Sequence, residues 1–385
     1  MLIVIPKEIA DGENRVAVIP QTLAALKKAK LDIVVQSGAG AGAFISDEAY
    51  ANAGAVIETD VRAMFAKADV VLKIQPPMQN NDVNCHEVDM LKEGSILISL
   101  LDAYSQLDVL KKMAERNITT FGLEFVPRTT RAQSMDVLSS MAAIAGYSAV
   151  LESAALLPKY FPMLMTAAGT ITPAKVFVIG AGVAGLMAIS TAKRLGAVVE
   201  AYDTRPVVKE QVESLGAKFV EFDLGTQDAQ DKGGYAKAQS EDFYRKQQEQ
   251  MAAKVATVDV VITTAAIPGK PSPRLITDAM IQQMHTGSVI VDLAAERGGN
   301  AEGTVCGQIV EKHGVKLVGY IDYPSRKSVH ASQLFSKNIS TFLLNMVKDG
   351  ALNLNMEDEI IKGALVVHEK QIVHPALKPL LEQPQ

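Results

Sequence analysis

Tryptophan is absent from the 385-residue sequence, and cysteine occurs only as Cys85 and Cys306. Two isolated cysteines offer neither a disulfide framework nor a C-x-x-C pair, so the sequence argues against structural zinc and favours a reducing compartment, the cytoplasm. Charge of one sign is also scarce, because 38 basic and 43 acidic residues leave a net charge of −5. Without a basic cluster, neither nucleic acid nor a membrane surface is an expected partner. No metal site is expected.

A hydrophobic run long enough to cross a membrane is not expected either. The apolar stretch 176–189 is shorter than the roughly 20 residues that a bilayer requires, and Lys175 and Lys193 bracket it. The length of the chain predicts two or three domains of roughly 100 to 200 residues each. Hydrophobic residues at 48% supply ample core for them.

Short apolar strands alternate with helical stretches along most of the chain, which implies right-handed crossovers and parallel sheets. We therefore predict an α/β protein with two Rossmann-like, doubly wound parallel-sheet domains and a cleft between them. The first domain is predicted over residues 1–138, joined by a returning C-terminal segment at 325–385. The second is predicted over 139–324, with a long connecting helix over 140–157 near its start.

The most informative stretch reads as strand, glycine turn and helix without interruption. Gly180 permits a tight turn out of the strand, Gly182 lets the backbone approach a pyrophosphate, and Gly185 lets the helix lie close against the sheet. The N-terminus of that helix offers free N–H groups and the positive end of its dipole to phosphates. This context predicts a dinucleotide site.

A second apolar strand ends at Asp203, after the glycine helix. An acidic side chain at this point accepts hydrogen bonds from the adenosine ribose and repels a 2′-phosphate, which favours NAD(H) over NADP(H). Arg205 stands against this, because some sites accept the 2′-phosphate with a nearby arginine.

A long polar stretch, about residues 223–240, interrupts the second domain. Gly233 and Gly234 precede Tyr235, which places one aromatic side chain on a flexible hinge. Such a stretch suits a mobile loop that closes over a nucleotide. Composition alone is equally consistent with a solvated loop that carries an incidental tyrosine.

Polar and charged side chains also concentrate between two apolar segments near the predicted domain junction. Arg128, Gln133, Asp136 and Ser139 are the candidates for orienting a nicotinamide ring and its ribose. The competing explanation is interdomain salt bridging, together with N-capping of the following helix by Asp136 or Ser139.

A dehydrogenase that acts on an alcohol or amine must also move a proton, commonly through histidine or lysine at the strand ends. None of the six histidines occupies such a position, and each is expected on the surface: His86, His285, His313, His330, His368 and His374. Lys73, at a strand end, is left as a possible ion partner.

Several motifs spread over nearly the whole length carry a family resemblance. The most specific are Arg131-Ala-Gln-Ser-Met-Asp136 and Gly233-Gly-Tyr-Ala-Lys237; Thr264-Ala-Ala-Ile-Pro-Gly-Lys-Pro271 and the glycine fingerprint support them. With these motifs the chain resembles the NAD(H)-binding domain of the proton-translocating NAD(P) transhydrogenases, in the form where that domain is a separate α1 subunit. The same fold is shared with the alanine dehydrogenases.

The resemblance implies that NAD(H) is held on this chain and NADP(H) on a partner subunit. Hydride would pass directly between the two C4 atoms, with Arg128, Gln133, Asp136 and Ser139 surrounding the nicotinamide and its ribose. The implied cofactor contacts are Gly180, Ala181, Gly182, Val183, Ala184, Gly185, Asp203, Thr204, Arg205, Gly234, Tyr235 and Ala266. A homodimer that lies on the cytoplasmic side of the inner membrane, with proton translocation in separate membrane subunits, is also implied.

An amino-acid dehydrogenase of the alanine dehydrogenase type is the alternative enzyme. In that relative an arginine, a lysine and a histidine serve the substrate; Arg15 and Lys73 match the first two, whereas Asp102 stands at the histidine position. Without the imidazole, Arg15 and Lys73 are expected to pair with acidic neighbours as structural residues. A third class is an NAD-sensing module that binds the nucleotide without reacting it.

Overall fold

The structure, a computed structural model, describes residues 1–222 and 241–382, and these fall into two compact units. Unit 1 comprises 1–141 and the segment from 324 to the C-terminus, and unit 2 comprises 142–323. The α/β prediction with two domains is confirmed. The predicted mobile loop at 223–240 lies outside the described residues.

The strands of the described residues, in chain order, are β1 Leu2–Ile5, β2 Asp32–Gln36, β3 Val56–Glu58, β4 Val70–Leu72, β5 Gln79–Asn80, β6 Cys85–His86, β7 Ile96–Ser99, β8 Thr119–Gly122, β9 Leu164–Thr166, β10 Gly169–Ile171, β11 Lys175–Ile179, β12 Val198–Tyr202, β13 Lys218–Phe219, β14 Val260–Thr263, β15 Val289–Asp292, β16 Ile309–Lys312, β17 Val315–Val318, β18 Val347–Lys348, β19 Ala351–Leu352, β20 Leu365–His368 and β21 Gln371–Ile372.

The α-helices are α1 Pro20–Lys28, α2 Asp47–Asn52, α3 Val61–Lys67, α4 Glu87–Met90, α5 Leu107–Glu115, α6 Val137–Leu156, α7 Val183–Arg194, α8 Lys209–Ser214, α9 Glu241–Val255, α10 Asp278–Gln282, α11 Tyr323–Arg326, α12 Ser328–Asn345, α13 Glu359–Ala364 and α14 Lys378–Leu381.

The sheet of unit 1 has the strand order β21-β20-β8-β7-β4-β1-β2-β3. The strands from β8 to β3 run parallel, and Ile3 on β1 pairs with Ile33 on one side and Val70 on the other. The returning chain adds β20 antiparallel to β8 and β21 antiparallel to β20. On one face of the sheet, Phe342 of α12 packs edge-on against Phe121 of β8.

Unit 2 contains a second sheet, in the order β13-β12-β11-β14-β15-β17-β16. All neighbours are parallel except β16, which is antiparallel to β17 at the edge. From β13 to β15 this is the doubly wound order in which the chain starts at the centre, at β11, and moves outward in both directions. The crevice beside β11 is where such sheets bind ligands.

Alternation along β11 explains why this sheet carries helices on both faces. Val176 and Val178 belong to a buried cluster with Ile189 of α7, whereas Phe177 belongs to a second cluster with Met251 of α9. Successive strand residues point to opposite faces, so a continuous apolar run makes a strand that is buried on both sides. Each fully buried side chain of this size stabilises the fold by about 1.5–3 kcal/mol.

The predicted connecting helix is α6, Val137–Leu156, and the boundary between the units falls within it. By length and composition alone it is apolar enough to cross a membrane, a property that the expectation from residues 176–189 overlooked. Ala149 and Val150 of the helix are fully buried in the core of unit 2. A helix that packs inside a protein is selected for the same apolar composition.

Candidate functional site

The turn between β11 and α7 is short. β11 ends at Ile179, and α7 begins at Val183 with Gly182 as its N-cap. Gly180 has a φ of 94°, a left-handed conformation that is open to glycine and strained for most other residues. Its N–H donates to the Tyr202 carbonyl at 2.8 Å. Gly180 therefore turns the chain out of the sheet while keeping it bonded to β12.

Gly185 and Gly182 differ in what surrounds them. A Cβ added to Gly185 would lie 1.8 Å from the carbonyl oxygen of Gly180, so a side chain there collides with the turn. A Cβ added to Gly182 would meet no atom of the described residues within 4 Å. Packing therefore requires a glycine at 185, whereas the glycine at 182 leaves open space in front of the helix.

The first turn of α7 is well placed to bind an anion. Within the described chain, no side chain caps the helix at Gly182. The first N–H groups of a helix have no partner inside it, and they lie at its positive end. Open space, donors that the helix itself does not use and a positive dipole end together fit a pyrophosphate.

A close contact with α6 holds this turn in place. A Cβ added to Gly146 of α6 would lie 2.0 Å from the carbonyl oxygen of Ala184. The two helices thus approach to a distance that only glycine at 146 allows. Sequence reasoning did not single out Gly146, because a lone glycine in an apolar helix carries no pattern of its own.

Asp203 follows β12 and is fixed against the glycine turn. Its Oδ2 accepts the Ala181 N–H at 2.7 Å and an Arg205 Nη2 hydrogen at 2.7 Å. Its Oδ1 accepts the backbone N–H and the Nε–H of Arg205, at 2.8 and 2.9 Å. The carboxylate is 6% exposed and the guanidinium side chain 17%. Asp203 and the turn therefore form one bonded unit.

The loop after β14 lies beside the same turn. Thr264 donates its hydroxyl hydrogen to the Gly180 carbonyl at 3.0 Å. The neighbouring Ala265 is bonded at both ends to fully buried Asn300, whose Oδ1 accepts the Ala265 N–H at 3.0 Å and whose Nδ2 donates to the Ala265 carbonyl at 2.8 Å. Exposed Ala266 comes next.

Asn300 is a site-shaping residue that sequence reasoning missed. The pair Gly298-Gly299 directly before it marks a tight turn after β15, because both glycines have positive φ values. The amide of Asn300 also donates to the Pro273 carbonyl at 2.8 Å. That glycine pair, followed by an amide side chain, was the available signal.

The polar segment of unit 1 forms a 3₁₀ helix, Thr130–Met135, that leads into α6. Asp136 caps α6: its Oδ1 accepts the Ser139 N–H at 2.8 Å, and its Oδ2 accepts the Ser139 hydroxyl hydrogen at 2.6 Å. Arg128 and Gln133 are exposed. The capping predicted by the competing explanation is therefore present, and it leaves the oxygen of Ser139 able to accept a further hydrogen bond.

Arg131, in the same segment, forms a bidentate pair with Asp358, and both residues belong to unit 1. This arginine does not make the interdomain salt bridge that was considered from the sequence. The contact instead ties the 3₁₀ helix to the residue that caps α13 through the Ile360 N–H at 2.8 Å.

Removal of the α6 cap should loosen its first turn. Asp136→Ala is expected to reduce the protection of the Ser139 amide against hydrogen exchange by about fivefold, because an N-cap contributes about 1 kcal/mol. Asp136→Asn is the matched control, since asparagine caps as well as aspartate. Equal exchange in all three proteins, measured by NMR or mass spectrometry, would show that the cap does not stabilise this turn.

The structure thus brings the predicted residues into two groups. In unit 2, Gly180 to Gly185, Asp203, Thr204, Arg205 and Ala266 gather around the carboxyl ends of β11, β12 and β14. In unit 1, Arg128, Gln133, Asp136 and Ser139 lie on one continuous segment. Gly234 and Tyr235 lie outside the described residues.

Lys73 and Arg15 are both engaged by carboxylates. The Lys73 ammonium, 1% exposed, lies 2.8 Å from Glu87 and 3.5 Å from Glu8. Burial lowers and the two carboxylates raise the pKa of Lys73, and the net shift is upward. Burial raises the pKa of Glu8. These contacts confirm the expectation that Lys73 pairs with acidic neighbours.

Arg15 is bound in the same manner by Glu13. The Arg15 Nε–H donates to Glu13 Oε1 at 2.7 Å, and Gln75 donates its amide hydrogen to Oε2 at 2.7 Å. Burial raises the pKa of Glu13, but the hydrogen bonds and charge of Arg15 outweigh it and lower that pKa overall. Arg15 is therefore structural here, as expected.

One histidine departs from the surface expectation. His374 is 8% exposed and stacks on Phe125, with ring centroids 3.9 Å apart. Its Nε2 lies 3.1 Å from the Gly363 carbonyl oxygen. Burial lowers the pKa of His374 below its ordinary value. The residue follows a short edge strand in the returning segment, so its sequence neighbourhood looked like a polar tail.

No group of three or more histidine, cysteine or acidic side chains suited to a metal ion occurs in residues 1–222 and 241–382. The chemistry that this site supports comes from backbone N–H groups, a carboxylate and amide and hydroxyl side chains.

Two family models match the chain. The model described as "Alanine dehydrogenase/PNT, N-terminal domain" matches residues 4–145, and "Alanine dehydrogenase/PNT, C-terminal domain" matches residues 149–375. The two models together cover most of the sequence, including both groups of candidate residues.

Individual relatives are similar over nearly the same length. A first segment of the NAD(P) transhydrogenase subunit alpha of Rhodospirillum rubrum is 48% identical over 380 residues, which cover 98% of this chain and 99% of that protein. The crystal structure of the transhydrogenase of Sinorhizobium meliloti superposes with a TM-score of 0.84 at 42% identity, over 98% of this chain and 100% of that chain. An alanine dehydrogenase of Methanococcus maripaludis is 30% identical over 305 residues, 78% of this chain and 74% of that protein.

Proposed function

This chain belongs to the alanine dehydrogenase/PNT family, and on that premise we propose that it is the NAD(H)-binding subunit of a proton-translocating NAD(P) transhydrogenase. Hydride passes directly between NADH on this chain and NADP⁺ on a partner subunit. The observation that carries the proposal is the start of α7, which no side chain of the described residues caps, where Gly182 faces open space and the Ala181 N–H is bonded to Asp203.

The nucleotide-binding residues fall to unit 2. The N–H groups at the start of α7 hold the pyrophosphate, and Asp203 accepts the ribose hydroxyls of the adenosine. The proposed contacts are Gly180, Ala181, Gly182, Val183, Ala184, Gly185, Asp203, Thr204, Arg205 and Ala266. Gly234 and Tyr235 complete the proposal as members of a loop that closes on the nucleotide.

The nicotinamide end falls to the polar segment of unit 1. We infer that Gln133 holds the nicotinamide ribose and that Ser139 accepts a hydrogen bond from the carboxamide. Asp136 positions Ser139 through the hydrogen bond between their side chains, and Arg128 and Asp136 maintain the shape of the segment. NADH supplies the hydride from its C4 atom.

This arrangement suits a reaction without proton transfer at the reacting carbons. Because neither ring gains or loses a proton there, catalysis reduces to positioning two rings. The candidate side chains are an amide, a guanidinium, a carboxylate and a hydroxyl, and none of them needs to act as a general base.

The proposal assigns proton translocation to separate membrane-spanning subunits that also bind NADP(H). This chain is then peripheral, on the cytoplasmic face of the inner membrane, and has no transmembrane segment of its own. The burial of Ala149 and Val150 supports a core role for α6.

One assay tests the function. Purified chain is mixed with the NADP(H)-binding domain of a transhydrogenase, NADH and an oxidised NADP⁺ analogue, and hydride transfer is followed optically. A second mixture contains alanine and NAD⁺. Hydride exchange in the first mixture alone is expected. NAD⁺ reduction by alanine would favour the dehydrogenase alternative, and binding of NADH without reaction in either mixture would favour a sensor.

The alanine dehydrogenase alternative rests on one of the relatives described above. Lys73 and Arg15, the matching residues for substrate, are buried and paired with Glu8, Glu87 and Glu13. A substrate carboxylate would have to displace one of these carboxylates. Silence with alanine is therefore the expected result.

A homodimer also belongs to the proposal. The hairpin of β9 and β10 is exposed along its length and carries Met165, 73% exposed, and Ile171, 41% exposed. Exposed apolar patches of this kind mark protein interfaces. Met165→Lys is expected to convert a dimer into a monomer in light scattering. Val207→Lys, at a site 65% exposed in unit 2, is the control; dissociation in both, or in neither, would contradict a role for the hairpin.

A further inference from the structure

The pair formed by Asp203 and Arg205 has an electrostatic consequence for nucleotide choice. Arg205 carries the kind of group that binds a 2′-phosphate in NADP-dependent sites, because a guanidinium matches phosphate oxygens with two parallel hydrogen bonds. It lies two positions after the carboxylate that is proposed to bind the ribose. The residue type alone therefore points to either nucleotide.

The geometry removes this ambiguity. The guanidinium binds Asp203 with both Nε and Nη2, one on each carboxylate oxygen, at 2.9 and 2.7 Å. The Ala181 N–H and the Arg205 N–H take two further acceptor positions. A carboxylate has about four such positions, so the pair is saturated. A ribose hydroxyl can take one guanidinium position while the other keeps the ion pair.

A 2′-phosphate demands more. For Arg205 to bind it, the guanidinium must leave a carboxylate that is 6% exposed. Asp203 would then retain two backbone donors and face a second anion. Removing one partner from a buried charge pair is strongly unfavourable, because the remaining charge is left uncompensated.

We propose that the Asp203–Arg205 pair, and not Asp203 alone, selects the unphosphorylated nucleotide: Asp203 withholds from the 2′-phosphate an arginine that would otherwise bind it. The inference rests on the proposed function and deepens it. A transhydrogenase carries two nucleotides that differ only in this phosphate, so each subunit must reject the other's substrate. Arg205 thereby becomes a specificity-determining residue.

The test compares Asp203→Ala, Arg205→Met and the double variant Asp203→Ala/Arg205→Met with the native chain. Dissociation constants are measured by calorimetry on the full chain for NADH and NADPH, and for 5′-AMP and adenosine 2′,5′-bisphosphate. The last two differ only by the 2′-phosphate and are independent of the nicotinamide end.

Asp203→Ala is expected to bind NADPH and the bisphosphate about tenfold more tightly than the native chain does, which corresponds to ~1.4 kcal/mol. The double variant should lose that gain. An equal gain in both variants would mean that only charge repulsion was relieved, and it would overturn the role of Arg205. No gain in Asp203→Ala would overturn it as well.

A folding defect does not leave the question open. If Asp203→Ala does not fold, Asp203→Asn with and without Arg205→Met provides the same comparison, because asparagine keeps an acceptor for the Ala181 N–H. Failure of the proposed function is distinguishable: a native chain that does not bind NADH, or does not exchange hydride with the partner domain, refutes the function whatever the variants do.

Discussion

Gly182→Ala is expected to weaken NADH binding by roughly 100-fold while the ligand-free chain keeps its fold. No described atom lies within 4 Å of the added methyl group, so the change in free energy of unfolding should stay below about 1 kcal/mol. The methyl group instead occupies the space through which the pyrophosphate approaches, and forced contacts of this kind cost ~1–3 kcal/mol. Calorimetric titration with NADH and thermal unfolding without it measure the two effects.

Gly185→Ala is the matched counterpart. Its methyl group would lie 1.8 Å from the Gly180 carbonyl oxygen, so the ligand-free chain itself should lose at least about 2 kcal/mol of stability. Nucleotide binding should fall with it, because the turn must shift. If the two variants showed the same loss of stability, the distinction between a packing glycine and a ligand-facing glycine would be wrong.

Gln133→Asn should reduce the rate of hydride transfer by about 100-fold, because a displacement of about 1 Å in a positioning contact has an effect of that size. Gln133 is exposed on the 3₁₀ helix before α6, and the shortened side chain keeps the amide but withdraws it. NADH affinity should change by less than about tenfold, since one hydrogen bond contributes roughly 0.5–1.5 kcal/mol. Stopped-flow transfer with the partner domain and equilibrium titration give the two values.

The neighbouring exposed residue provides the control. Ser134→Ala removes a hydroxyl from the same helix, while the Ser134 backbone carbonyl keeps its hydrogen bond from Asn338. Transfer rate and affinity should both be close to native. Parallel losses of rate and affinity in Gln133→Asn would assign the residue to binding, and an equally slow Ser134→Ala would assign the defect to the segment as a whole.

The central strands of both sheets were predictable from sequence, since β11, β12 and β14 are apolar runs bounded by turn residues. The edge strands were not. β3, β16 and β21 are only two to four residues long, too short for alternation to separate them from loops. The strand predicted over 119–125 ends at Gly122, where the chain enters a 3₁₀ helix, Leu123–Phe125.

The candidate site shows the same division. Glycine spacing revealed the turn because the backbone itself needs glycine there, and Asp203 followed from its position after the next strand. The partners of these residues did not follow. Asn300 reaches Ala265 across 35 positions of the chain, and Asp203 binds Arg205 with a geometry that residue identity does not encode. Long-range contacts of this kind appear only once the chain is folded.

The helix crossing at Gly146 bears on how variants of this protein are interpreted. A screen that scores mutants by nucleotide uptake alone would classify a bulky residue at 146 as a ligand-contact lesion. Its methyl or larger group would in fact push on the Ala184 carbonyl and displace the helix start from the other side. Binding phenotypes here acquire meaning only beside a measurement of the empty protein.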